Sequence, residues 1–162
     1  SLWQEGRIDE ARPLLRTMHD CGVLAGIGTH LPEVVAYCQE HSWEVDFYLT
    51  CLYRLGAGRG SGPIAEGRAQ PEQFDDDERE TMCRVIRATD KPCFAFKILA
   101  ASRKCESLDA VRAAFEYALS NIKPTDALIV GMCQEYVDQV AMNAHIVREL
   151  ATSADVEGRH AL

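Results

Sequence analysis

Apolar residues recur at helical spacing over residues 8–19, where Leu14, Leu15 and Met18 share a stripe. The run stops at Cys21-Gly22, where glycine can close a helix. A short apolar segment, Val23-Leu24-Ala25-Gly26-Ile27-Gly28, then predicts a strand. After Thr29-His30-Leu31, Pro32 stands where a first helical turn tolerates it, and residues 33–38 continue as an amphipathic helix. Residues 45–53 are rich in aromatic and β-branched side chains and predict a second strand. The acidic run Asp75-Asp76-Asp77 opens a helix over 78–89, where the helix dipole favours negative charge. A third strand is predicted over 92–100, a helix from Ser107-Leu108-Asp109 to about 121, a fourth strand over 127–131 and a last helix over 135–151.

The predicted order is one helix followed by four βα units. Strands alternating with helices of this length imply a parallel α/β sheet with right-handed crossovers. The sheet is then either an open doubly wound one or half of a (β/α)8 TIM barrel, which typically needs ~250 residues when complete. The opening helix, with no strand before it, and the start at Ser1 rather than methionine favour the half-barrel with a segment preceding it. Residues 1–151 are expected to form a single domain. Residues 55–73, with Gly56, Gly58, Gly60, Gly62 and Gly67, are expected to be a Gly-rich loop over the strand ends, and residues 152–162 a flexible tail.

Composition narrows the function classes. The 162 residues hold 17 Lys and Arg against 25 Asp and Glu, a formal charge of −8, which disfavours phosphate-rich partners such as nucleic acid or an anionic membrane. No apolar run approaches the ~18 residues of a membrane span, and no signal peptide opens the chain. Seven cysteines at 21, 38, 51, 83, 93, 105 and 133 form no Cys-x-x-Cys pair. Neither a metal knuckle nor a disulfide framework is expected, and a reducing, cytoplasmic setting fits them.

Four segments together resemble the second half of an aldo/keto reductase barrel. Residues 5–23, from Glu5-Gly6-Arg7 to Cys21-Gly22-Val23, resemble that family's fourth helix leading into its fifth strand, and Gly26-Ile27-Gly28-Thr29-His30 resembles the end of that strand. Val45-Asp46-Phe47-Tyr48 through Tyr53 resembles the sixth strand. Ala127-Leu128-Ile129-Val130-Gly131-Met132, with Val137-Asp138-Gln139-Val140 and Asn143, resembles the eighth strand and its helix. The resemblance implies a parent oxidoreductase using NADP, or a relative diverged from that cofactor. The family's acid tyrosine and its aspartate, lysine and histidine partners belong to the first half of its barrel, so this half alone is expected to be inactive. Gly28 and Thr29 stand where the family holds the nicotinamide amide with serine and asparagine, Leu49 near its glutamine, and Cys133-Gln134 where an arginine is common.

Candidate chemistry gathers where the predicted strands end, because βα loops form one rim in such folds. Lys97 lies in the apolar run Phe94-Ala95-Phe96-Lys97-Ile98-Leu99, where burial would depress its pKa and suit it to Schiff-base chemistry on a carbonyl substrate. A structural ion pair with a carboxylate such as Asp46 is the alternative. His30 follows the first strand at the same rim and has the chemistry of an acid or base. Both are candidate catalytic residues. Ser102 and Arg103 after the third strand, and Gly131 and Met132 after the fourth, are candidates for a cofactor phosphate. His19, His41, His145 and His160 are expected to be ordinary surface groups. Three functions follow: the oxidoreductase half, a Lys97-dependent lyase or aldolase acting on a carbonyl or anionic small molecule, or a non-catalytic interaction domain. The expected partner is a second copy, or a missing N-terminal half-barrel.

Overall fold

Burial in the sheet alternates residue by residue. Tyr48 and Thr50 are buried on one side of their strand while Phe47 and Leu49 stay half-buried on the other, and Cys93 and Ala95 alternate with Phe94 and Phe96 in the same way. Alternation of this kind marks a sheet with only one face packed against helices. The computed structural model describes residues 2–54 and 74–159, with side chains described through residue 152. A 3-10 turn at Ile8–Ala11 leads into α1 (Arg12–Asp20), β1 (Gly26–Thr29), α2 (Pro32–Glu40), β2 (Phe47–Cys51), α3 (Asp76–Ala88), β3 (Cys93–Phe96), α4 (Leu108–Asn121), β4 (Ala127–Ile129) and α5 (Gln139–Arg159).

All strands run parallel in the order β1-β2-β3-β4. A doubly wound sheet reverses its strand order at a switch point and carries helices on both faces. Here the order never reverses, and α2 packs on α3, α3 on α4 and α4 on α5 along the sheet. The core lies between helices and sheet, where Val35, Ile86 and Phe115 meet Tyr48, Cys93 and Ala95. Cys38, Cys83 and Cys93 are buried there as small apolar side chains, while Cys51 is buried on the Phe47 and Leu49 side of its strand. On the other face Phe47 packs edge-on against Phe94 with centroids 5.5 Å apart. The Phe47 ring also lies over Gly26, where an added Cβ would sit 2.3 Å from it.

Several predicted boundaries shift, each for a local reason. The first helix begins as a 3-10 turn, with Pro13 setting the start of α1. Gly22, at φ +75°, ends α1 as expected. The third strand stops at Phe96 rather than residue 100, because Lys97 takes φ +60° and leaves the ladder. The last helix begins at Gln139, after a loop in which Gln134 and Asp138 accept from its first amides. It runs on past residue 151 to Arg159, with no proline to stop it, so the tail expected to be flexible is helical to that point. The Gly-rich loop over 55–73 and residues 160–162 lie outside the described residues. Among the described residues no helix is long and apolar enough to cross a membrane.

Two carboxylates tie the strand starts together in pairs. Asp46, just before β2, accepts from the Ala25 amide before β1 at 2.7 Å and meets His19 Nε2 at 2.8 Å. His19 is therefore no ordinary surface group. It pins the end of α1 to the sheet, and Asp46 is its partner rather than that of Lys97. Asp126, just before β4, accepts from the amides of Cys93 and Lys123, each at 2.8 Å. The Ala25 amide, and after it His19, hold the Asp46 carboxyl below its ordinary range. A carboxyl depressed by folding stabilises the chain above its unfolded pKa, about 3.9, and loses that contribution as pH falls through the lower folded value. Thermal melts by circular dichroism are expected to show Tm falling as pH drops below about 4. Asp46→Asn is expected to flatten that acid limb; an unchanged limb would refute the role given to Asp46.

Candidate functional site

A cavity of about 780 Å³ opens at the carboxyl ends of β3 and β4. That volume falls within the range of small-molecule sites. Its walls come from the β3–α4 connection, the β4–α5 connection and the first turns of α4 and α5. Parallel pairing puts these four segments at one end of the sheet, so the site follows from topology. The lining is largely apolar, with Phe96, Ile98, Leu108, Val111, Ile129 and Met142 among it. Lys97 is its one cation, and no carboxylate lines it among the described residues. The lining therefore combines apolar walls with one cationic side chain.

The β3–α4 connection carries backbone strain. Lys97 has φ +60°, and Ala100, Ala101 and Ser102 follow at +49°, +50° and +70°. A side chain at positive φ costs roughly 1–2 kcal/mol per residue, and strain of this kind clusters at ligand clamps. The turn is closed by Ala100 N–H donating to Lys97 O at 2.8 Å and Lys104 N–H to Leu99 O at 3.3 Å. Lys104 Nζ lies 2.8 Å from Asp76 Oδ2 and anchors the loop to the start of α3. Lys97 itself is half-exposed, its Nζ 5.9 Å from the Phe74 ring centroid.

Of the six residues singled out from sequence, Lys97, Ser102, Gly131 and Met132 line the cavity. Arg103 does not. Its guanidinium donates to the Ala100 and Ala101 carbonyls at 3.3 and 3.4 Å and stacks on Phe74 at 4.4 Å, bracing the strained turn. His30 also lies outside the lining, edge-on to Phe96 with centroids 5.4 Å apart, so it touches the wall from the β1 side. Gly131 meets no steric demand, since an added Cβ would have nothing within 4 Å. The start of α5 is already capped. Gln134 Oε1 accepts from the Gln139 and Val140 amides at 2.7 and 3.3 Å, and Asp138 Oδ1 from the Ala141 amide at 3.0 Å. The Gln134 side chain thus already holds amides that an anion at this helix start would seek. At α4, Ser107 caps the Ala110 amide at 3.1 Å.

Asn143 is the site residue that sequence reasoning left without a role. It is 6% exposed, lines the cavity, and its Oδ1 has no hydrogen-bond partner among the described residues. Buried amide oxygens are nearly always paired, and one left unpaired costs roughly 1–3 kcal/mol. The signal was present in the spacing. Asn143 shares a helical stripe with buried Ile146 and with Leu150, which packs against the core, so a polar residue interrupts an apolar face. Comparison of the chain with protein-family models, curated proteins and solved structures finds no match.

Proposed function

We propose that this chain is the C-terminal half of an aldo/keto-reductase-like TIM barrel and that its rim cavity takes part of a nicotinamide dinucleotide, NADP, for a cytoplasmic oxidoreductase. The observation that carries the reading is the unpaired Asn143 Oδ1 inside an apolar cavity whose one charged wall residue is Lys97. A ligand suited to that cavity offers an apolar ring, an N–H or O–H donor for Asn143 and an anionic group for Lys97. A dinucleotide has all three. If the strands are the last four of a barrel, the cavity lies after the seventh and eighth, where such folds often hold phosphate. The sequential parallel order and the one-sided helical cover support that numbering.

Bound reduced nicotinamide supplies a hydride. The residues of this chain supply binding and positioning. Asn143 would accept a hydrogen bond from the cofactor, Lys97 and Ser102 would serve its anionic group, and the apolar walls would exclude water. Titration of the chain with NADPH, followed by the cofactor's own fluorescence, is expected to saturate with a micromolar Kd, and Lys97→Ala to weaken it about tenfold, as loss of a charge-assisted contact does. No saturable change would end the cofactor reading. A Lys97-dependent lyase or aldolase is the second reading, favoured by the presence of Lys97 in the cavity wall. Borohydride trapping of pyruvate as a mass adduct that disappears in Lys97→Ala would select it. Failure of both leaves the non-catalytic interaction domain.

A further inference from the structure

Sulfur is unevenly placed in this molecule. All seven cysteines and four methionines lie among the described residues. Cys38, Cys51, Cys83, Cys93 and Met82 are buried. Of the remaining six, Met18 and Cys21 lie at the end of α1, whereas Cys105, Met132, Cys133 and Met142 all line the cavity at the ends of β3 and β4. Cys105 comes from the β3–α4 connection, Met132 and Cys133 from the β4–α5 connection, and Met142 from the first turn of α5. The two thiols are far apart in sequence, with no metal-knuckle spacing to announce them. The parallel pairing of β3 with β4 brings their loops to one cavity.

The kind of ligand follows from what shares the cavity with these sulfurs. No carboxylate or imidazole lines it among the described residues, so a hard cation such as magnesium or calcium finds no anionic oxygen there. Zinc is held by thiolate, imidazole and carboxylate groups, usually about four of them, and iron–sulfur clusters by about four thiolates. Two thiols and two thioethers meet neither requirement. They are a donor set that suits copper(I), a soft ion. Burial, and after it Glu106, hold the Cys105 thiol above its ordinary range, so that thiol is protonated in the free chain. Binding of the ion releases one proton from each thiol to water. A monovalent ion on two thiolates then carries a single net negative charge, which the Lys97 ammonium in the same wall offsets.

We infer that this cavity is a soft-metal site, in which Cys105 and Cys133 bind copper(I) as thiolates and Met132 and Met142 complete the shell as thioethers. The inference does not depend on the dinucleotide reading. The whole chain, reduced with a phosphine and kept free of oxygen, is titrated with copper(I) against the coloured chelator bicinchoninate. It is expected to withdraw one ion per chain. The double variant Cys105→Ser/Cys133→Ser is expected to bind at least about a hundredfold more weakly, and Met132→Leu/Met142→Leu about tenfold, since even outer partners of a metal site are worth roughly 10–100-fold in affinity. Cys105, Cys133 and Met132 are exposed, so circular dichroism of the cysteine variant is expected to show the fold intact. Cys21→Ser, at an exposed thiol outside the cavity lining, is expected to leave binding unchanged. X-ray absorption of the copper complex is expected to show sulfur neighbours alone. Failure to compete with the chelator would overturn the inference, as would capture that survives loss of both thiols or a shell of nitrogen and oxygen. Copper capture without NADPH binding would keep the metal site and sink only the cofactor; NADPH binding without copper capture would do the reverse.

Discussion

Asp126→Ala is expected to destabilise the chain by about 3–5 kcal/mol, the cost of removing one partner from a buried ion pair. The Asp126 side chain is fully buried and lies 3.0 Å from Lys123 Nζ, which in turn donates to the Ile86 carbonyl at 2.6 Å. The same carboxylate accepts from the Cys93 amide at the start of β3. Alanine leaves an ammonium without its counter-charge and a strand amide without an acceptor, at the point where β3 and β4 begin to pair. An exposed helix cap provides the comparison. Asp75 accepts from the Asp77 amide at 3.1 Å in front of α3, and its loss is expected to cost only about 1 kcal/mol. Urea unfolding of the two alanine variants measures the difference. Equal midpoints would show that Asp126 is not the tie between the last two strands.

Asn143→Leu is expected to move stability and affinity in opposite directions. In the free chain the substitution removes an unpaired buried oxygen and adds an apolar side chain to the stripe shared with Ile146, so Tm is expected to rise or hold. In the complex it removes the acceptor proposed for the ligand, and NADPH affinity is expected to fall by about tenfold to a hundredfold, the equivalent of losing a buried hydrogen bond. A residue that merely packs would lower Tm and leave the ligand alone. Melting curves and fluorescence titration of one preparation therefore separate the two roles. A lower Tm with unchanged affinity would remove Asn143 from the site.

The order of elements was legible because local chemistry sets it. Pro32, Asp75 and Ser107 each start a helix, and Gly22 ends one, by the backbone demands of that residue alone. The place of the cavity was legible too, since parallel strands put their βα loops at one end. What sequence reasoning missed depends on partners far along the chain or on the sign of a dihedral. Nothing near His19 announces Asp46, twenty-seven residues on. The left-handed run from Ala100 to Ser102 contains no glycine, so the usual marker of positive φ is missing. Arg103 was expected at an anion and instead braces that run, because the strained turn turns two carbonyls toward it. Gln134, noted in the sequence only through the resemblance, proves to cap α5 with its amide oxygen, a contact five residues along that no local pattern announces.

The sequential strand order has a bearing on how such a chain changes over time. Each βα unit touches mainly the units before and after it, so the architecture is an array with ends and no centre. A gene for an array of this kind can be lengthened by duplication, shortened by loss, or split between two reading frames without rethreading any connection. What each such event must then solve is the treatment of its newly bared termini.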